Sequence, residues 1–330
     1  MSAACYLARR GAKTLLLEAR TVGAGASGRT GGIVLEGTAK GIFPGTECCV
    51  EHLRAVVERE RIECELELHG CWEIEHAESS RGFILPWKDD NKYIRVRRVV
   101  RGGTVDPMKL VKGLAEAAIR AGAVVRENLP ARRIESRDKL RVETDGQTID
   151  ADFVVVAANS WTNLLLPNVR PIRSALTLAC ATEPLSRSTL YQIGLGANIP
   201  FYTVDTPYLW GRVMRDGRVI FGAGLVFDSI DKLERKRLTD EEIGARLENL
   251  KSRVRALNPA LKQVKFCYQW GGPIGIPDDF LPLIGRLPGT SRIFVAAGYA
   301  GHGVALSVWA GEAIARAILD NEKLPEWASP

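Results

Sequence analysis

Two glycine-rich stretches at opposite ends of the chain constrain its fold more than any other feature. Near the start, LLLEARTVGAGASGRTGG sets glycines at 23, 25, 28, 31 and 32 directly behind a short apolar run. Near the end, RIFVAAGYAGHGVALSVWAGEAIARAI passes from an apolar run through Gly298, Gly301 and Gly303 into a helical pattern. A strand that breaks at glycines into a helix leaves the first N–H groups of that helix free, and these favour negative charge. Glycine also lets backbone approach a ligand closely. The plain alternatives are a surface turn for the first stretch and a βα connection with packing glycines for the second. A surface turn does not ask for Ser27, Arg29 and Thr30 between its glycines.

The opening MSAACYLARRGAKTLLLEA reads as the second half of a nucleotide-binding βαβ unit. Residues 2–10 have helical character, Gly11 stands at the C-cap, and residues 14–17 form a short apolar strand. The strand ends on Glu18, an acid placed to accept hydrogen bonds from a ribose hydroxyl. The plain alternative is any αβ unit with a solvated Glu18. A dinucleotide fold also carries a strand and a GxGxxG turn ahead of this helix, and neither is in the sequence. The expectation is therefore an N-terminally truncated gene product. Loss of three charge-assisted hydrogen bonds to a pyrophosphate would cost roughly 5–9 kcal/mol, or about three to six decades of affinity.

The 330 residues, 46% hydrophobic and 25% charged, suit one large or two interleaved globular domains. No apolar run approaches the roughly 20 residues of a membrane span, and no signal peptide is expected. Seven scattered cysteines without CxxC or zinc spacing point to reduced thiols, no metal and a cytoplasmic protein. The net charge of +6 is spread along the chain, densest at Arg95, Arg97, Arg98 and Arg101. A solvated strand face explains that cluster most simply, with Arg95 or Arg97 as a secondary candidate for clamping a substrate carboxylate. Without aromatic interleaving, nucleic acid is not expected as a partner.

Helices are expected over residues 47–61, 107–121, 239–257 and 304–319, the second capped by Asp106 and Pro107 and ended by Gly122. Strands are expected at 71–74, 83–85, 93–100, 123–126, 132–135, 140–144, 153–157, 266–270 and 293–297. RDGR at 215–218 reads as a hairpin turn. The glycine stretch at 23–32 reads as loop.

These residues resemble the FAD-dependent amine and amino-acid oxidoreductases of the D-amino-acid oxidase superfamily, in the branch of glycine oxidase, sarcosine oxidase and gamma-glutamylputrescine oxidoreductase. The similarity is carried, in order, by LLLEA at 15–19, GASGRTGG at 25–32, DPMKLVKGL, RENLPARRIE, VVVAANSWT, DDFLPLIG at 278–285 and GYAGHG at 298–303. The resemblance implies an α/β FAD-binding Rossmann-like domain, discontinuous over 1–43, 102–170 and 271–330. A β-rich α+β substrate domain over 44–101 and 171–270 would be inserted in it. It implies that Glu18 holds the adenosine ribose, and that Ala26, Ser27, Arg29, Thr30, Gly31 and Gly32 lie along the pyrophosphate and flavin. Ala131 would touch the adenine edge, Ala158 and Trp161 would flank the cofactor, and Gly298, Gly301, His302, Gly303 and Val304 would face the flavin's pyrimidine carbonyl. Thr30 replaces the usual asparagine and Ala300 the usual serine. No cysteine stands at Gly272 or Pro273, so the FAD is expected to be non-covalent.

The implied reaction is hydride transfer from a C–H bond next to nitrogen, giving an imine that hydrolyses. The substrate is a small amine or amino acid, and oxygen or another acceptor takes the electrons. Tyr299 and His302 are the catalytic candidates, although His302 serves equally well to order the helix start. The sequence leaves the amine and the oligomeric state open. The rival readings are a non-catalytic remnant that binds FAD weakly or not at all and, less well supported, an NAD-dependent dehydrogenase.

Overall fold

The computed structural model describes residues 1–136, 138–205 and 208–330. It is a mixed α/β fold dominated by one large sheet. Eight strands lie in the order Phe266–Pro277, Ile172–Thr182, Val219–Phe227, Trp210–Val213, Phe201–Thr203, Cys71–Ala77, Lys92–Val100 and Ile84–Asp89. All neighbours are antiparallel except Phe201–Thr203 against Cys71–Ala77. Trp87, Phe201 and Phe221 fill its core against the helix Glu241–Leu257, which presents Leu250 and Val254.

Smaller parallel pairings carry the strand–glycine–helix junctions. Leu15–Leu17 pairs with Val124–Arg126, and Val154–Val156 pairs with Ile293–Ala297. The terminal helix Gly303–Leu319 begins where the last of these ends. Its apolar face packs with the helix Cys49–Glu60, burying Leu53, Val56, Leu306 and Ile314 together. Ser2 Oγ donates to the Val308 carbonyl at 2.7 Å, pinning the first helix, Ser2–Arg9, to the last. A Cβ on Gly311 would stand 2.6 Å from the Ala3 nitrogen, so only glycine permits this approach. Asp106 caps Pro107–Arg120 through a 3.0 Å bond from the Lys109 N–H, as its position predicts.

Several expectations change. The glycine stretch is not all loop, because Ala26–Arg29 forms one helical turn. The strand expected at 266–270 continues to Pro277, since it pairs along its whole length with Ile172–Thr182 despite its glycines and prolines. The strands at 84–89 and 92–100 are joined through Asp90 and Asn91, both in the left-handed region. The arginine cluster is not a merely solvated face. Arg95, Arg97 and Arg98 pair across the sheet with Glu75 and Glu73, and Arg101 pairs with Glu36 and Glu51. Among the described residues no helix is long and apolar enough to cross a membrane.

Candidate active site

The two glycine-rich stretches open onto one cavity of about 2690 Å³. Pockets for drug-sized ligands occupy roughly 300–1,000 Å³, so this space is large enough for a dinucleotide-sized ligand. Each stretch is held by a different set of contacts.

Pairing of Leu15–Leu17 with Val124–Arg126 delivers Glu18 to the cavity. The Glu18 N–H donates to the Arg126 carbonyl at 2.8 Å, and Leu129 N–H donates to the Glu18 carbonyl at 3.0 Å. The Ala26–Arg29 turn is anchored from the far sheet, where Trp270 Nε1 donates to the Arg29 carbonyl at 2.9 Å. A Cβ on Gly31 would lie 2.1 Å from the Trp210 ring, and one on Gly222 2.0 Å, so both glycines make the slot that holds this indole.

The late stretch is held by Asn159, which has positive φ and whose Oδ1 accepts from the Gly298 N–H at 3.1 Å. Ala300 N–H donates to the Gly275 carbonyl at 3.0 Å, and His302 N–H donates to the Tyr299 carbonyl at 2.9 Å. The terminal helix then starts without a side-chain cap, which leaves its first-turn N–H groups for a ligand. The first turn of Ser2–Arg9 also lines the cavity and also lacks a side-chain cap.

Of the residues singled out from sequence, Glu18, Ala26, Ser27, Arg29, Thr30, Gly31, Ala131, Ala158, Trp161, Tyr299, Gly301, His302, Gly303 and Val304 all line this cavity. Gly32 and Gly298 do not. Both are at positive φ and packed, Gly32 against the Val105 carbonyl and Gly298 against Pro277. Gly25 and Gly301 line the cavity with nothing within 4 Å of where a Cβ would stand, so bare backbone faces the space.

These features fit FAD. The cavity offers uncapped helix starts for negative charge, an acid at a strand end for a ribose, and open glycine backbone for close approach. Among the described residues no cysteine lines it.

Two titratable groups stand at the start of the terminal helix. Burial pushes the Tyr299 phenol upward, which keeps it protonated. Burial pushes His302 down, and the hydrogen bond to the Ala300 carbonyl only partly opposes this, so the ring is neutral at pH 7. Neither is a strong base.

On the opposite wall the sequence reading named only arginines, with Arg95 or Arg97 as a secondary candidate, and missed Glu73 and Tyr202; Arg97 and Arg98 line the cavity and Arg95 does not. Tyr202 sets its ring edge-on to His302 with centroids 6.2 Å apart, and its hydroxyl donates to Glu73 Oε2 at 3.0 Å. Arg98 grips Glu73 with two bonds of 3.0 and 2.9 Å. Burial raises the Glu73 pKa, but hydrogen bonds from Arg98 and Tyr202 and the charge of Arg97 outweigh it, so the net shift is downward. Asn159, Trp210 and Trp270 were also missed as anchors. Only Asn159, in VVVAANSWT, carried a sequence signal.

Comparison with known proteins places the family and the fold. The chain is 27% identical to a probable oxidoreductase OrdL of Haemophilus influenzae, over 98% of this chain and 81% of that protein. It is 26% identical to gamma-glutamylputrescine oxidoreductase of Escherichia coli, over 100% and 83%. The crystal structure of glycine oxidase from Geobacillus kaustophilus superposes with a TM-score of 0.79 at 19% identity, covering 99% and 94%, and so shares the fold. The DAO family of FAD dependent oxidoreductases matches residues 1–317, and with that span the chain belongs to this family of flavoenzymes.

Proposed function

We propose that the protein oxidises the C–N bond of a small amine or amino acid, with residues 1–43, 102–170 and 271–330 holding FAD and 44–101 with 171–270 holding the substrate. The observation that carries this reading is that Gly25–Gly31 and Tyr299–Val304, far apart in sequence, face one cavity. The strand Phe266–Pro277 crosses the boundary between the two units and ties them together.

FAD, when bound, supplies the two-electron acceptor for a C–H bond next to nitrogen. Glu18 would accept hydrogen bonds from the ribose, and the helical turn Ala26–Arg29 with Thr30 and Gly31 would follow the phosphates. The N–H groups at Gly303 and Val304 would stabilise negative charge arising beside the helix start without reorganising. Tyr299 stays protonated and burial makes His302 a weaker base than a free imidazole, so both serve to hold and orient a neutral amine rather than to abstract a proton. Ile274 and Ile276 give this part of the cavity an apolar wall. Relatives named for gamma-glutamylputrescine and glycine support an amine or amino-acid substrate. Non-covalent attachment is supported by a lining that, among the described residues, holds no cysteine.

The test is reconstitution with FAD. We expect a retained flavin absorbance band that bleaches under anaerobic conditions on adding an oxidisable amine and returns with an electron acceptor. Protein that stays colourless with excess FAD would overturn the reading and favour a non-catalytic remnant.

A further inference from the structure

Charge on the cavity walls is unevenly placed. Around the start of the terminal helix the lining is uncharged, with Ile274, Ile276, Ala300 and Val304 beside neutral Tyr299 and His302. Beyond Tyr202, the strand Lys92–Val100 contributes Arg97 and Arg98 to the same cavity, and Cys71–Ala77 contributes Glu73.

These three charges sum to +1, and their bonding decides where the surplus sits. Both oxygens of Glu73 are occupied: Oε1 by Arg98 Nε at 3.0 Å with Arg97 Nη1 at 3.3 Å, and Oε2 by Arg98 Nη2 at 2.9 Å with Tyr202 Oη at 3.0 Å. The Glu73 side chain is 4% exposed. It therefore has no open site for a cationic ligand. Arg98 spends its planar fork on Glu73. Arg97 makes only looser ion-pair contacts, to Glu73 and, at 4.0 Å, to Glu75, which Arg95 already holds. Its donors remain available to a ligand in the cavity. Arginine presents them in a geometry that matches a carboxylate.

We propose that Arg97 is a specificity-determining residue that receives a carboxylate at the end of the substrate remote from the oxidised C–N bond. Glu73 is the positioning residue: it fixes Arg98 and Tyr202 and sets the wall from which Arg97 reaches. The carboxylate is remote because Tyr202 stands between the cation and His302, with its ring toward one and its hydroxyl toward the acid that binds the other. This inference rests on the proposed C–N oxidation at the start of the terminal helix.

A series of five-carbon compounds tests it in FAD-reconstituted protein. For oxidation, 5-aminopentanoate should exceed both pentylamine and norvaline in kcat/KM by about tenfold or more, the scale of one charge-assisted hydrogen bond. In R97M the ratio of 5-aminopentanoate to pentylamine should fall close to one. R97K should retain part of it, and R97E should reverse the preference toward cadaverine. Calorimetric titration with pentanoate reads the same contact without turnover, with about tenfold weaker binding in R97M. Equal use of 5-aminopentanoate and pentylamine by the unaltered protein would overturn the proposal. So would unchanged pentanoate binding in R97M. If none of the amines is oxidised, the C–N oxidation reading fails, and the pentanoate titration still decides whether Arg97 receives a carboxylate.

Discussion

The two walls of the cavity are built from different materials. The wall formed by the glycine stretches and the terminal helix is mostly backbone: bare glycines, helix-start N–H groups and small side chains. The wall formed by the large sheet is made of side chains, with Glu73, Arg97, Arg98 and Tyr202 drawn from three strands. A backbone wall needs residues adjacent in sequence, and glycine marks them. A side-chain wall needs a sheet register that brings residue 73 opposite residue 98 and parallel to residue 202. The first kind of site can be read along the chain, and the second only across it.

The largest effects are expected from substitutions at glycine, which act on the backbone wall. Gly31→Val drives a side chain into the Trp210 ring, because even a Cβ would stand 2.1 Å away. Overpacking of this kind should cost about 3 kcal/mol, read as a lowered denaturation midpoint together with loss of retained flavin. Gly301→Ala is the control. Its Cβ meets nothing within 4 Å, but φ is +87°. The strain should cost roughly 1–2 kcal/mol, while the methyl group projects into the cavity. FAD affinity should therefore fall out of proportion to stability, and equal flavin binding in Gly301→Ala and unaltered protein would remove bare backbone from the account.

Asn159→Ala removes the acceptor for the Gly298 N–H. We expect a loss of about 1 kcal/mol in denaturant unfolding and a weaker flavin band, because the late stretch loses its tie to the strand Val154–Val156. An effect on stability alone would separate Asn159 from the site.

The smallest expected effect is in acid. Burial depresses the pKa of His302 in the folded chain. Its contribution to stability is complete above the unfolded value, about pH 6.5, and is lost as pH falls through the lower folded value. His302→Gln should flatten the stability profile below about pH 6.5, measured by denaturant midpoints across that range. A profile of unchanged slope would place the acid sensitivity elsewhere.

Much of the local backbone was legible from local chemistry. The strand–acid junction at Glu18, the Asp106 cap, the hairpin at 215–218 and the start of the terminal helix each follow from a few neighbouring residues. Legibility failed where distant partners overrode local preference. The strand read at 266–270 stops short at GGPIG, yet it runs on to Pro277 because Ile172–Thr182 supplies a ladder along its length. The arginines at 95–101 look solvated, because nothing nearby in sequence announces Glu73 and Glu75 across the sheet.

Where the backbone bends and which helix starts stay uncapped follow from local sequence, since glycine conformation and capping act within a few residues. That both glycine stretches serve one cavity, and that a buried acid aligns two arginines on its far wall, depends on contacts between distant segments. Side-chain charge is positioned by long-range register, and a one-residue slip would turn Glu73 to the other face of the sheet.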